Sequence, residues 1–171
     1  MTAEDWANLQ KKLCVCSTVE EFWKYWRHIP SPSHVFYDGK TKKRVGVAPD
    51  DRTIESFSIF KEGIAPEWED AQNSNGGEWW IRKPLAAEKL DEWWQNLVLG
   101  LIGEMIDEDD QVCGARVADK SGGKGAYPLF RVELWLRTTD EEKAAKLKEN
   151  MVKALGGKGS VNADAFGWKN H

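Results

Sequence analysis

The stretch GIAPEWEDAQNSNGGEWW, Gly63 to Trp80, holds the residues whose types and spacing best suit a chemical task. Trp68 follows Pro66 and sits among Glu67, Glu69 and Asp70, in a loop where neither it nor Glu69 has a place in a core. An indole is costly to leave in water, and it offers a large π-face with a single N–H to satisfy. A carboxylate beside it accepts hydrogen bonds. The pair suits a neighbour that is flat and polar.

Catalytic groupings are missing from the pattern. Glu104, the Asp107 to Asp110 run and the three histidines form no triad or metal site at a recognised spacing, and His28 and His34 flank prolines with no paired nucleophile. Metal-assisted hydrolysis or cofactor-dependent group transfer would need metal carboxylates or a cofactor loop, so the expectation is a non-enzyme without cofactors. Cys14, Cys16 and Cys113 are odd in number and show no metal-ligand spacing. Cys14 and Cys16, as C-x-C, would share one face of a strand. Free thiols in a reducing cytosol are the expectation.

The 171 residues fit one domain with a proper core. Hydrophobic content of 41% and charged content of 30% are those of a folded soluble chain, expected to be a monomer in the cytoplasm. Ten tryptophans exceed what a core needs and mark a binding surface as well. The net charge of −4 argues against broad nonspecific binding to nucleic acid while leaving room for a small basic pocket. No apolar run reaches transmembrane length, no signal peptide opens the chain, and no membrane partner is expected.

Several elements must position these residues. Trp6 to Val15 alternates loosely and suggests a short strand. STVEEFWKYW reads as a helix start: Ser17 or Thr18 caps it, Glu20 and Glu21 favour the dipole, and Val19, Phe22, Trp23 and Trp26 recur at helical spacing. Pro30 and Pro32 end it. The 31–55 segment reads as a long irregular insertion with a basic cluster, KTKKR, best taken as a solvated loop. IESFSIFKEG and EWWIRK read as strands. AAEKLDEWWQNLVLGLIGEMI is a helix whose stripe runs through Leu90, Trp93, Trp94, Leu97, Val98, Leu101 and Ile102. QVCGARVADKSGGKGAYPLFRVELWLR is a hairpin turning at 121–125. TDEEKAAKLKENMVKALGG is a helix with an acidic start and a glycine end, and a short strand follows. The class is α+β: a curved antiparallel sheet with about three helices on its convex face. Trp79, Trp80, Trp93 and Trp94 belong to the core in this scheme.

TVEEFW, SFSIFKEGIAPEWED, GGEWWI, LIGE, VCGA and NADA occur in the order and at the spacing found in eukaryotic translation initiation factor 4E, the mRNA cap-binding family, which the chain resembles from Trp6 to about Asp164. The 31–55 segment is the one large insertion. The resemblance implies a slot on the concave sheet face holding 7-methylguanosine between two indoles, Trp6 and Trp68. Methylation at N7 makes the ring cationic, and Trp is the best cation–π partner. Glu69 would accept from guanine N1–H and the N2 amine together. Trp135 matches a third family tryptophan that touches the N7 methyl, although a core role on its strand fits equally. Without the resemblance, Trp6 would be read as packed on the core and Trp68 as a half-buried turn residue; with it, binding is the better reading of both.

The family grips the cap phosphates with cations from the hairpin. Alternation from Trp135 places Glu133 and Arg131 on the same face, so Arg131 matches one ligand. Counting from VCGA places Lys120 at another, with Arg116 beside it; the long hairpin lets Lys124 compete with Lys120, and both are also readable as turn charges. A third basic position of the family carries Glu78 here, a departure that weakens the grip. Asn162, Asp164 and Lys169 fall where the family has a loop near the second nucleotide. Val19, Trp23 and Gly103 match the dorsal groove that takes the helix of an initiation factor 4G-like scaffold or a 4E-interacting repressor. By spacing alone Trp23 would be core. Gln95 and Asn96 replace a family Leu and Glu there, and the first strand of the family has no counterpart, as in a trimmed chain or a short isoform. The implied function is cap binding in translation initiation or its regulation, on a plain cap or on a hypermethylated one of the kind carried by trypanosomatid mRNA. The alternative is an interaction module of the same fold with a weakened cap pocket that works through its dorsal groove.

Overall fold

Thr18 sets the first helix. Its hydroxyl accepts from the Glu21 amide at 3.2 Å while the Glu21 carboxylate accepts from the Ser17 amide at 2.8 Å, a reciprocal cap that starts α1 (Val19–Trp26). The computed structural model in which this is seen describes residues 9–41, 46–47, 52–107, 109–122, 127–157 and 159–171. Phe22 of α1 is buried, and Trp26 stacks on it with centroids 5.3 Å apart.

Two expectations for the first third of the chain need correction. Residues 10–16 form no strand: Leu9, Leu13 and Val15 are exposed, so alternation there serves no core face. Cys14 and Cys16 are therefore not on a strand; they and the buried Cys113 are free thiols. The 31–55 segment is not uniformly irregular either. Pro32, instead of only ending α1, opens α2 (Pro32–Val35), a place where its fixed φ and missing N–H cost nothing. The Ser33 amide and hydroxyl both bond to Asp91, at 2.9 and 2.5 Å, and Val35 and Phe36 enter the core. Further on, β1 (Gly46–Val47) pairs antiparallel with β2 (Arg52–Thr53).

The main sheet comprises β3 (Ser56–Phe60), β4 (Gly77–Lys83), β5 (Val112–Asp119), β6 (Phe130–Leu136) and β7 (Gly167–Asn170), in the spatial order β3-β5-β6-β4-β7 with antiparallel neighbours. Period-two alternation divides each strand. Ile81, Ala115, Val117, Phe130, Val132, Leu134 and Leu136 join one core with Leu90, Trp93, Leu97 and Val98 of α3 (Ala87–Ile102) and Leu147, Met151 and Val152 of α4 (Glu141–Ala154). Each buried Val, Leu, Ile, Phe or Met side chain among them contributes about 1.5–3 kcal/mol by leaving water. The Asp140 carboxylate caps α4 by accepting from the Lys143 amide at 2.9 Å, and Gly156 and Gly157, at φ +114° and +76°, turn the chain out of it. A 3-10 turn (Ala163–Ala165) leads into β7. The α+β expectation holds, with the helices packed on one face. Trp93, Trp94 and Trp79 lie in the core as expected, and Trp79 donates to the Ala144 carbonyl at 2.7 Å. Trp80 does not: alternation sets it with Glu78 and Arg82 on the other face, which none of the described helices covers.

Candidate functional site

That uncovered face is organised in rows fixed by the strand register. Arg82, Arg131 and Ala118 oppose one another across β4, β6 and β5. The next row is Trp80, Glu133, Arg116 and Ser58, and the one after it Lys169, Glu78, Trp135, Gly114 and Phe60. One end of the face is thus basic and the other aromatic and acidic. The alternation that grouped Arg131, Glu133 and Trp135 is realised in β6.

At the basic end, burial and the positive charges of Arg116, Arg131 and Arg82 hold the Lys120 ammonium below its ordinary value, with Glu133 opposing them. Four cations therefore share one neighbourhood, an arrangement that an anion would relieve. Arg116 and Lys120 lie on one face, since the β5 irregularity falls between Val112 and Gly114, before them. Arg82 was not foreseen; alternation within EWWIRK would have placed it with Glu78 and Trp80. Lys124 lies outside the described residues.

Arg131 is already occupied. Its guanidinium forms an ion pair with Glu78, lies 2.6 Å from Glu133 Oε1, and rests over the Trp80 ring at 4.7 Å. Glu78 is 1% exposed. Its second oxygen is 3.3 Å from His171 Nε2, while His171 Nδ1 is 3.0 Å from the Asn73 carbonyl. Burial pushes the Glu78 carboxyl up, but the hydrogen bond from His171 and the charges of Arg131, His171 and Lys169 outweigh it and leave it below its ordinary value. Glu78 is therefore more than a missing cation: it is the anchor on which Arg131 and His171 converge. Trp135 is 1% exposed, covered by Phe60 at 5.3 Å and His171 at 4.5 Å, and its Nε1 donates to Glu133 at 2.9 Å.

The loop between β3 and β4 presents Trp68 and Glu69, both exposed; Trp68 is 49% so. It is braced from within. Asp70 accepts from the Ala65 and Gln72 amides at 2.9 and 2.8 Å, and the fully buried Asn73 amide donates to the Ala65 and Glu67 carbonyls at 2.8 Å each. The D-x-x-N pattern of Asp70 and Asn73 carries this bracing, and sequence reasoning passed over it. Replacing Asn73 with alanine leaves two carbonyls short of a donor and is expected to cost about 1–3 kcal/mol of stability, measured by the shift of the urea midpoint. Gln10 Nε2 also reaches the Pro66 carbonyl at 3.5 Å, which brings the segment following Trp6 to this loop. Trp6 itself lies outside the described residues. On the helix side, Val19 and Trp23 are 56% and 39% exposed and Gly103 caps α3 beside the exposed Met105.

The family model described as eukaryotic initiation factor 4E matches residues 1–171. Eukaryotic translation initiation factor 4E1 of Drosophila melanogaster is 32% identical over 144 residues, covering 84% of this chain and 47% of that protein. The factor 4E of Saccharomyces cerevisiae is 30% identical over 141 residues, covering 82% of this chain and 56% of its own length. The chain thus spans about half the length of these relatives. Among solved structures, the complex of Ascaris suum eIF4E-3 with m7G cap superposes with a TM-score of 0.75 at 25% identity, over 100% of this chain and 83% of that one. The complex of C. elegans eIF4E-3 with the 4E-binding protein Mextli does so with a TM-score of 0.72 at 25% identity, over 97% of this chain and 83% of that one. With residues 1–171 matched by the family model and the fold superposing on those structures, this chain belongs to the eukaryotic initiation factor 4E family.

Proposed function

We propose that this chain binds the 7-methylguanosine cap of mRNA without catalysing a reaction and serves translation initiation or its regulation. One observation carries the reading: a braced loop holds an exposed Trp68 and Glu69 at one end of an open face whose other end gathers Arg82, Arg116, Lys120 and Arg131. A stacked cationic purine at the first end would direct its phosphates toward the second. Trp6 supplies the opposite indole; Gln10 at Pro66 supports its reach. Glu69 takes the base edge. Trp135 meets the methyl once His171 gives way. Lys120, Arg116 and Arg131 meet the phosphates, with Lys124 from the long hairpin, and Glu78 and Glu133 temper the charge that Arg131 offers. Val19, Trp23 and Gly103 take the helix of a 4E-binding partner or 4G-like scaffold; the C. elegans eIF4E-3 structure is a complex with a partner of that kind, the 4E-binding protein Mextli.

Isothermal titration with 7-methyl-GTP against GTP tests the base reading: the methylated nucleotide should bind clearly tighter, and equal affinities would overturn it. Replacing Glu69 with alanine should cost about 2 kcal/mol or more of binding, as when a charged hydrogen-bond partner is lost, with the fold unchanged by circular dichroism.

A second reading, an interaction module acting through its dorsal face, is favoured by the pairing of Arg131 with Glu78 and by the cover over Trp135. Tryptophan fluorescence separates the two. Quenching at micromolar cap analogue supports the first, and no change at millimolar analogue supports the second.

A further inference from the structure

Trp68 is half exposed, yet one face of its ring is taken. The Lys169 ammonium sits 3.5 Å from the ring centroid, well inside the roughly 6 Å within which a cation is drawn to an indole. Lys169 is fixed from behind. It opposes Glu78 in the β7–β4 register, so its side chain leaves from the open face and approaches Trp68 from the sheet side. That strand lies flush on β4 because residue 167 is glycine: a Cβ there would come within 2.5 Å of the Trp80 ring. Two residues on, His171 lies over Trp135 at 4.5 Å. One strand and the residue after it thus set a basic side chain against each described indole of the slot.

Resting on the cap-binding reading above, we propose that Lys169 is an internal stand-in for the cationic base, holding the sheet-side face of Trp68 in the free protein and leaving it when a ligand stacks there. The negative face of an indole attracts an ammonium and a methylated guanine by the same quadrupole, so the two compete for one surface. Displacement penalises every stacking base equally. Lys169 therefore lowers affinity for 7-methylguanosine and guanosine alike and leaves their ratio unchanged, unlike a residue that touches the methyl or the phosphates.

The test compares the unchanged protein with Lys169→Met and Lys169→Arg, using the nucleoside 7-methylguanosine, 7-methyl-GTP and GTP. Lys169→Met is expected to bind the nucleoside and 7-methyl-GTP about twofold to fivefold tighter, matching one exposed cation–π contact, and Lys169→Arg is expected to behave as the unchanged protein. Unaltered affinity in Lys169→Met overturns the proposal. Weaker binding of 7-methyl-GTP with unaltered binding of the nucleoside also overturns it, by making Lys169 a phosphate ligand. The contact is read separately, without nucleotide, as an upfield ring-current shift of the Lys169 ε-methylene signal that disappears in Trp68→Ala; its absence overturns the placement of Lys169. If the ring-current shift is present and the unchanged protein binds none of the three ligands, the cap reading falls, and with it displacement by a cap.

Discussion

Replacing Trp68 with alanine is expected to weaken binding of 7-methyl-GTP by well over tenfold while leaving the melting transition in place. Stacking on one aromatic face contributes roughly 1–3 kcal/mol per base. The positive charge of the methylated ring adds about 0.5–2 kcal/mol through the indole quadrupole, and about 1.4 kcal/mol is a factor of ten. The two halves of the expectation separate because Trp68 is 49% exposed and the loop that carries it is held by Asp70 and Asn73, not by the indole. Isothermal titration gives the first half and circular dichroism the second. Phenylalanine at the same position keeps a smaller face and should recover part of the loss. Binding retained in full by the alanine variant would remove this indole from the site.

The second large effect falls on stability. Glu78→Gln removes the charge that faces both Arg131 and His171 in a setting where Glu78 is 1% exposed. Breaking a buried pair from one side costs roughly 3–5 kcal/mol, and the lower part of that span applies here, since Arg131 keeps Glu133. The pH dependence has a definite sign. The Glu78 carboxyl lies below its ordinary value of 4.5 in the fold, so its stabilisation is fully present above 4.5 and is lost as pH falls through the depressed folded value. Denaturant melts should therefore show a wide gap between the unchanged protein and Glu78→Gln near neutrality, closing in acid below 4.5. A gap that persists into acid would mean that the carboxylate charge is not what stabilises the fold.

Most of the framework was legible because local signals agreed with the fold. Thr18, Asp140 and the glycines at 156 and 157 mark helix ends where they stand, and alternation in FRVELWL divides core from open face correctly. The stretch from Trp6 to Val15 misled because alternation is informative only where one face is buried, and Leu9, Leu13 and Val15 are not. Pro32 misled because proline ends one helix and starts another with equal ease. At the site, Trp68 and Glu69 could be singled out from their company alone. The roles of Glu78 and His171 could not, since they depend on cross-strand pairing between segments far apart in the chain, and no local pattern in GGEWW or GWKNH reports what lies opposite.

Gly167 has a consequence beyond the slot. With no Cβ to strike Trp80, it allows a strand of four residues to lie along β4 and turn what would be the rim of the sheet into an interior strand. An uncovered rim offers its row of amides and carbonyls to any other extended chain. In this sheet the rim on that side is β7 itself, and its four residues shorten the row on offer from the seven residues of β4.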